Sequence, residues 1–216
     1  IFWDAVALGG YLVINLLIAR AALRAHVEDI PPPRWVRPLV LLSIPWAVSI
    51  HTVTAFLFSG LAARSFWMTA ILAPRFLASA FASGPALLIL LVRLLERYGP
   101  IRVSATAVDK LAQIVAYALA TNLFFLGLEV FTVFYSAIPH HRLAFEYLYF
   151  GVDGKSQLVP LAWSSLALCV VALAVLLSPR LRRHPGWLTA ACAGLLAGLW
   201  IDKGLGMVIA GFVPSP

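Results

Sequence analysis

Residues 111–135, LAQIVAYALATNLFFLGLEVFTVFY, decide the fold, because this run carries a single formal charge, Glu129, in twenty-five positions. A helix rises about 1.5 Å per residue and the hydrocarbon core of a bilayer is about 30 Å thick, so roughly 20 such residues cross it. An amphipathic helix on a soluble domain would show a polar face; this run has none. Five more runs have the same character, at 2–19, 39–62, 70–92, 158–177 and 187–208. Composition agrees: 62% of the 216 residues are hydrophobic and 12% are charged, against about a quarter charged in soluble domains. The chain therefore reads as an all-α, polytopic transmembrane helical bundle of about six helices with short loops, and a soluble globular domain is excluded. It starts without Met or a charged leader before Phe2, and it stops just after an apolar run. We expect one transmembrane domain, 1–216, incomplete at both ends and cut from a larger protein.

Orientation follows from the basic residues. Three alternate linkers carry Arg20, Arg24, Arg34 and Arg37, then Arg93, Arg97, Arg102 and Lys110, then Arg180, Arg182 and Arg183; the other two carry only Arg64, Arg142 and Lys155. The positive-inside rule makes the first set cytoplasmic and puts both ends of the chain outside. The net charge of +7 is accounted for by this topology signal, with lipid headgroups as partners and no nucleic acid. Ile30-Pro31-Pro32-Pro33 is a stiff connector, Tyr98-Gly99-Pro100 closes one span and Ser178-Pro179 stops another. The long outer connector 136–157 holds His140-His141-Arg142 and Tyr147-Leu148-Tyr149-Phe150. It reads as an amphipathic loop, or as a short interfacial helix suited to docking a partner.

Inside hydrocarbon an ionisable side chain costs several kcal/mol unless it is paired or wet, so each is a functional candidate. Six lie in or at the ends of the spans: Asp4, His51, Arg75, Glu129, Asp202 and Lys203. From the inner end of each span, His51 stands roughly 18 Å up, Asp202 roughly 22 Å and Glu129 roughly 27 Å, while Asp4 and Arg75 open their helices from outside. All six fall in the outer half. Helical spacing puts Asp4, Leu8, Tyr11 and Asn15 on one face, Asn122 with Glu129 on another, and Ser79 and Ser83 on the face of Arg75. Gly194, Gly198 and Asp202 follow at four-residue steps, so a neighbouring helix can come close and then meet a carboxylate. Pro45 removes the helical donor of the Leu41 carbonyl, which predicts a kink below His51. These polar groups are compatible with plain ion pairing that locks the helices together, as well as with chemistry.

Cys169 and Cys192 sit in apolar runs with no CxxC partner and no His nearby, so we expect no metal site and no iron-sulfur cluster in this chain. A b-type haem would want two buried histidines, and of the five only His51 is deep; His26, His140, His141 and His184 lie in linkers. We expect no haem.

The run 45–56, PWAVSIHTVTAF, followed by FWMTA at 66–70 and RFLASAFASG at 75–84, resembles the NrfD-like family, the membrane subunits of polysulfide reductases. WIDKG at 200–204 and GFVPSP at 211–216 are similar to that family's late helix and the loop after it, and the DsrP-type subunits look nearest. Members commonly carry about eight to ten helices. The resemblance implies an inner-membrane protein of a bacterium or archaeon that exchanges electrons between a quinone, menaquinone or ubiquinone, and a periplasmic iron-sulfur subunit. Other membrane and cytochrome subunits complete such complexes.

Quinol oxidation releases two protons with its two electrons, and imidazole titrates nearest neutrality, so His51 is the expected first proton acceptor. Asp202 is expected to orient it or relay the proton. Asp4, Tyr11, Arg75, Glu129 and Lys203 complete the expected quinone-binding or proton-relay set. Proton translocation draws on the same acids, and a secondary transporter would use helices broken at Pro45 and Gly204.

Overall fold

The computed structural model describes residues 2–61, 64–99, 102–136, 138–152 and 154–212, with the side chains of Ser65 and His140 excepted. Pro100, the His140 side chain and the closing residues 213–216 therefore lie outside what is described. Among the described residues the secondary structure is helical, apart from one isolated bridge between Val152 and Lys155. Six helices are long and apolar enough to cross a membrane, matching the six runs read from the sequence. The chain is a multi-pass membrane protein.

Two compact units divide it, residues 1–61 and 62–216. In the first, α1 (Phe2–Val27) packs against α2 (Val36–Ser59). The buried positions of α1 are Ala7, Ile14, Ala21 and Ala25, a seven-residue stripe closed by a four-residue step, which is the seam two packed helices need. Trp46 donates from its indole nitrogen to the Ala7 carbonyl at 2.8 Å. Its ring covers the Cα of Gly10, where a Cβ would collide with it. Most other side chains of both helices are exposed and apolar, as lipid-facing surfaces are.

The second unit is built on four helices, α3 (Leu72–Tyr98), α4 (Ala105–Ser136), α6 (Val159–Leu177) and α8 (Pro185–Trp200). Around the ring, α3 packs on α4, α4 on α6, α6 on α8 and α8 on α3. The core is made of small and branched side chains: Ala82, Ala86 and Ile89 from α3, Ala112, Val115 and Leu119 from α4, Cys169 and Ala172 from α6, Ala191, Cys192 and Leu195 from α8. Hydrocarbon gives no hydrophobic drive to bring helices together, so close backbone approach between small residues supplies the contact. Both cysteines are buried and unpaired, as packing residues are.

The outer connector is more ordered than a loop. It forms α5 (Pro139–Tyr149), started by a proline at its first position and carrying an Arg142–Glu146 ion pair at 2.7 Å. Ala144, Phe145 and Leu148 are buried, so α5 packs on the bundle with one face instead of lying loose. Between α6 and α8 the basic linker contains the five-residue α7 (Pro179–Arg183).

The last span departs from a regular helix. After Trp200 the chain widens into a π-helix over Ile201–Met207 and returns to α-geometry in α9 (Val208–Gly211). The four-residue stepping that sets Asp202 below Gly198 therefore stops at the functional end of the span. Trp67, in a 3₁₀ turn at Ser65–Trp67, donates to the Met207 carbonyl at 3.1 Å, and its ring covers Gly211, where a Cβ would clash.

Candidate functional site

The second unit gathers four of the six ionisable residues at one point. Arg75 lies in the first turn of α3 and is 5% exposed. One of its terminal nitrogens donates to Glu129 Oε2, from the last third of α4. The other donates to both carboxylate oxygens of Asp202, at 2.9 and 3.0 Å. Lys203 Nζ stands 3.3 Å from Asp202 Oδ2 and 5.4 Å from the centre of the Phe76 ring. Arg75 suits this place because its planar fork can serve two carboxylates from two helices at once, which a lysine cannot. Two cations against two anions leave the buried cluster neutral, the condition on which charges persist away from water.

The π-helix puts Asp202 and Lys203, neighbours in sequence, into this one cluster. Such wide turns recur where a helix must present side chains that regular stepping would send elsewhere. Gly198, one turn earlier, makes room: a Cβ there would meet Cys169 Sγ at 2.9 Å and the Ser165 carbonyl oxygen at 3.0 Å. Ser165 in turn donates to the Gly198 carbonyl at 2.7 Å. The close approach expected from the Gly194, Gly198 spacing is thus made by α6.

Beside the cluster is a small cleft lined by Asn122, Tyr149, Ser165, Cys169 and Asp202, with a free volume of about 20 Å³. That is room for one water and no more. Asn122 Oδ1, Lys203 Nζ and Arg75 Nε are buried without a hydrogen-bond partner among the described residues, so the cleft holds polar atoms awaiting one. Burial, with the nearby Asp202 charge, pushes the Tyr149 phenol up to about 12, and it therefore stays protonated at neutral pH. An apolar groove of about 400 Å³ adjoins the cleft, sharing Leu123, Leu126, Tyr149 and Leu166 with it and adding Phe134, Phe150 and Trp163. Its size and walls suit a flat apolar ring, and its shared side chains lead to the polar cleft.

The remaining expected residues stand in the first unit. Asp4 accepts a hydrogen bond from Thr54 Oγ1 at 3.2 Å, joining the two ends of α1 and α2. The Tyr11 carbonyl accepts from Asn15 Nδ2 at 2.8 Å, a bond within the helix. His51 is half-buried on α2, one turn from Thr54. Among the described residues no three His, Cys, Asp or Glu side chains converge as metal ligands would.

Sequence reasoning found Arg75, Glu129, Asp202 and Lys203 by cost alone, and it noted Asn122 on the Glu129 face. It missed Ser165, which has no sequence signal to set it apart from the serine beside it. It also missed the part played by Tyr149, because an aromatic in a connector gives no hint that its helix folds back onto the bundle.

The family model described as Polysulphide reductase, NrfD matches residues 1–213. The chain belongs to this family. Among curated proteins, this NrfD-family chain is similar to a selenate reductase subunit of Mesobacillus selenatarsenatis, 28% identical over 142 residues. The match covers 66% of the chain and 32% of the relative, so it spans about a third of that protein's length.

Proposed function

We propose that this chain is the quinone-interacting part of an integral membrane subunit in a respiratory or sulfur-metabolism reductase complex. In this reading it lies in the cytoplasmic membrane of a bacterium or archaeon and exchanges electrons between membrane quinone and a periplasmic iron-sulfur subunit, with further membrane and cytochrome subunits alongside. The buried Arg75–Glu129–Asp202–Lys203 cluster beside an apolar groove is the observation that carries it. The NrfD family and a relative named as a reductase subunit support it. The likeness of the runs around His51, Arg75 and Asp202 to the DsrP-type subunits makes that subtype part of the proposal.

Quinone, menaquinone or ubiquinone, supplies two-electron, two-proton chemistry when bound. The chain's own residues do the rest. The groove walls exclude water, and the Lys203 ammonium, without a hydrogen-bond partner among the described residues, is a donor for a carbonyl oxygen. Asp202 lies against two cations, so it can accept a proton only as Arg75 turns to Glu129, and this competition lets the cluster pass charge without leaving any group bare. His51 serves as the first proton acceptor from α2. Asp4 and Tyr11 serve on the outward path.

The test is quinol-linked electron transfer in the assembled complex. His51→Phe keeps the ring's bulk and removes its proton chemistry, so turnover should fall on the order of 10² to 10⁴-fold while assembly survives. Asp202→Asn should show a similar loss. Near-normal turnover in both, with quinone still bound, would leave these residues as structural pairing.

A second reading, proton translocation, is favoured by the water-sized cleft touching Asp202, Asn122 and Tyr149. It requires proton uptake from the inner side during turnover in sealed vesicles, which simple quinone exchange at the outer face does not produce.

A further inference from the structure

The opposite end of the four-helix bundle carries a second polar cavity that the redox reading does not use. Its volume is about 410 Å³, and it is lined by Arg93 of α3, by Ala105, Thr106, Val108 and Asp109 of α4, by Arg182 and Arg183 of α7, and by Leu188 of α8. Arg182 is engaged: it donates to Asp109 Oδ1 and to the Leu176 carbonyl, each at 2.9 Å. Arg93 pairs with Glu96 at 3.0 Å, yet its Nε is buried without a hydrogen-bond partner among the described residues. Arg183 is exposed at the rim. Counting Glu96 with the wall, three guanidiniums meet two carboxylates, and one positive charge is left over. The first turn of α4 also faces the cavity and adds the positive end of a long helix dipole.

We infer that this cavity is a binding site for the phosphodiester headgroup of an anionic lipid. A phosphodiester carries the single negative charge that the wall lacks, and guanidinium forks match its oxygens. Lipid is favoured over a soluble anion by position. The cavity opens where the spans α3, α4 and α8 end, and Trp187, exposed beside Leu188, is the amphipathic ring that anchors at headgroup depth. The acyl chains then run along the apolar faces of the same helices, and basic pockets between transmembrane helices are a known way of holding such headgroups.

The experiment is native mass spectrometry of the purified full complex, with phosphatidylglycerol or phosphatidylcholine added in mild detergent. Phosphatidylglycerol should remain bound in preference to phosphatidylcholine. Arg183→Gln should weaken its retention about fivefold, and Arg93→Gln at least as much. Arg183 is exposed, so its variant should melt like the parent; Arg183→Lys, which keeps the charge, should recover most of the binding. Equal retention of both lipids, or unchanged phosphatidylglycerol in the two glutamine variants, would overturn the inference. So would displacement of the lipid by millimolar inorganic phosphate, which would make the site one for a soluble anion.

Discussion

The two ends of the four-helix bundle hold the same kind of bond in different solvents. At one end Arg75 serves Glu129 and Asp202 with side chains almost sealed from the surface; at the other, Arg182 holds Asp109, whose side chain is 24% exposed, beside an open cavity. Geometry alone does not separate them, since the Arg75–Asp202 and Arg182–Asp109 contacts are both 2.9 Å. What separates them is what happens when a partner leaves. Water and mobile ions can replace a lost partner at the open end, whereas the closed end must keep its own charges matched.

Arg75→Gln breaks the comparison hardest. It leaves Glu129, Asp202 and one lysine in a dry site, and a loss of about 3–5 kcal/mol is expected, read as a collapse of thermal stability in detergent and poor assembly. Next comes Gly198→Ala, which drives a methyl group into Cys169 and the Ser165 carbonyl and should cost about 1–3 kcal/mol. Gly194→Ala meets only Leu168 at 3.6 Å and should melt near the parent temperature; equal losses for the two would show that α6 does not hold the closed end tight. Arg182→Gln should cost about 1.5 kcal/mol, because water enters the cavity in its place. If its loss equalled that of Arg75→Gln, exposure would not be the distinction. The smallest effect is expected for Arg24→Gln on α1: the Arg24–Glu28 pair is well exposed and worth about 0.3–0.5 kcal/mol, and its removal should be lost in the error of a melting curve.

The difference between the ends also measures what the sequence could tell. Apolar length is a local property, so all six spans were legible, with limits shifted by a few residues. So were Arg75, Glu129, Asp202 and Lys203, since a charge within an apolar run stands out without any knowledge of the fold. Their pairing was not, because Arg75 meets Glu129 across 54 positions and Asp202 across 127. Nor was the π-helix, whose hydrogen-bond register leaves no mark in composition. In the connector, the Arg142–Glu146 face looked like solvated loop, while the residues that bury Phe145 and Leu148 come from other helices.

A π-helix fits more residues into each turn than an α-helix does, so the final span behaves like a screw with one stretch of different pitch. Each residue added to or removed from Ile201–Met207 rotates everything after it by about 100°. Met207 and Gly211, clasped by Trp67, would then swing to another side of the bundle. Substitutions within this stretch alter one side chain at a time, but a deletion as small as Gly204 changes the phase of the whole terminus. Length at this point is therefore a quantity the protein must conserve as strictly as charge.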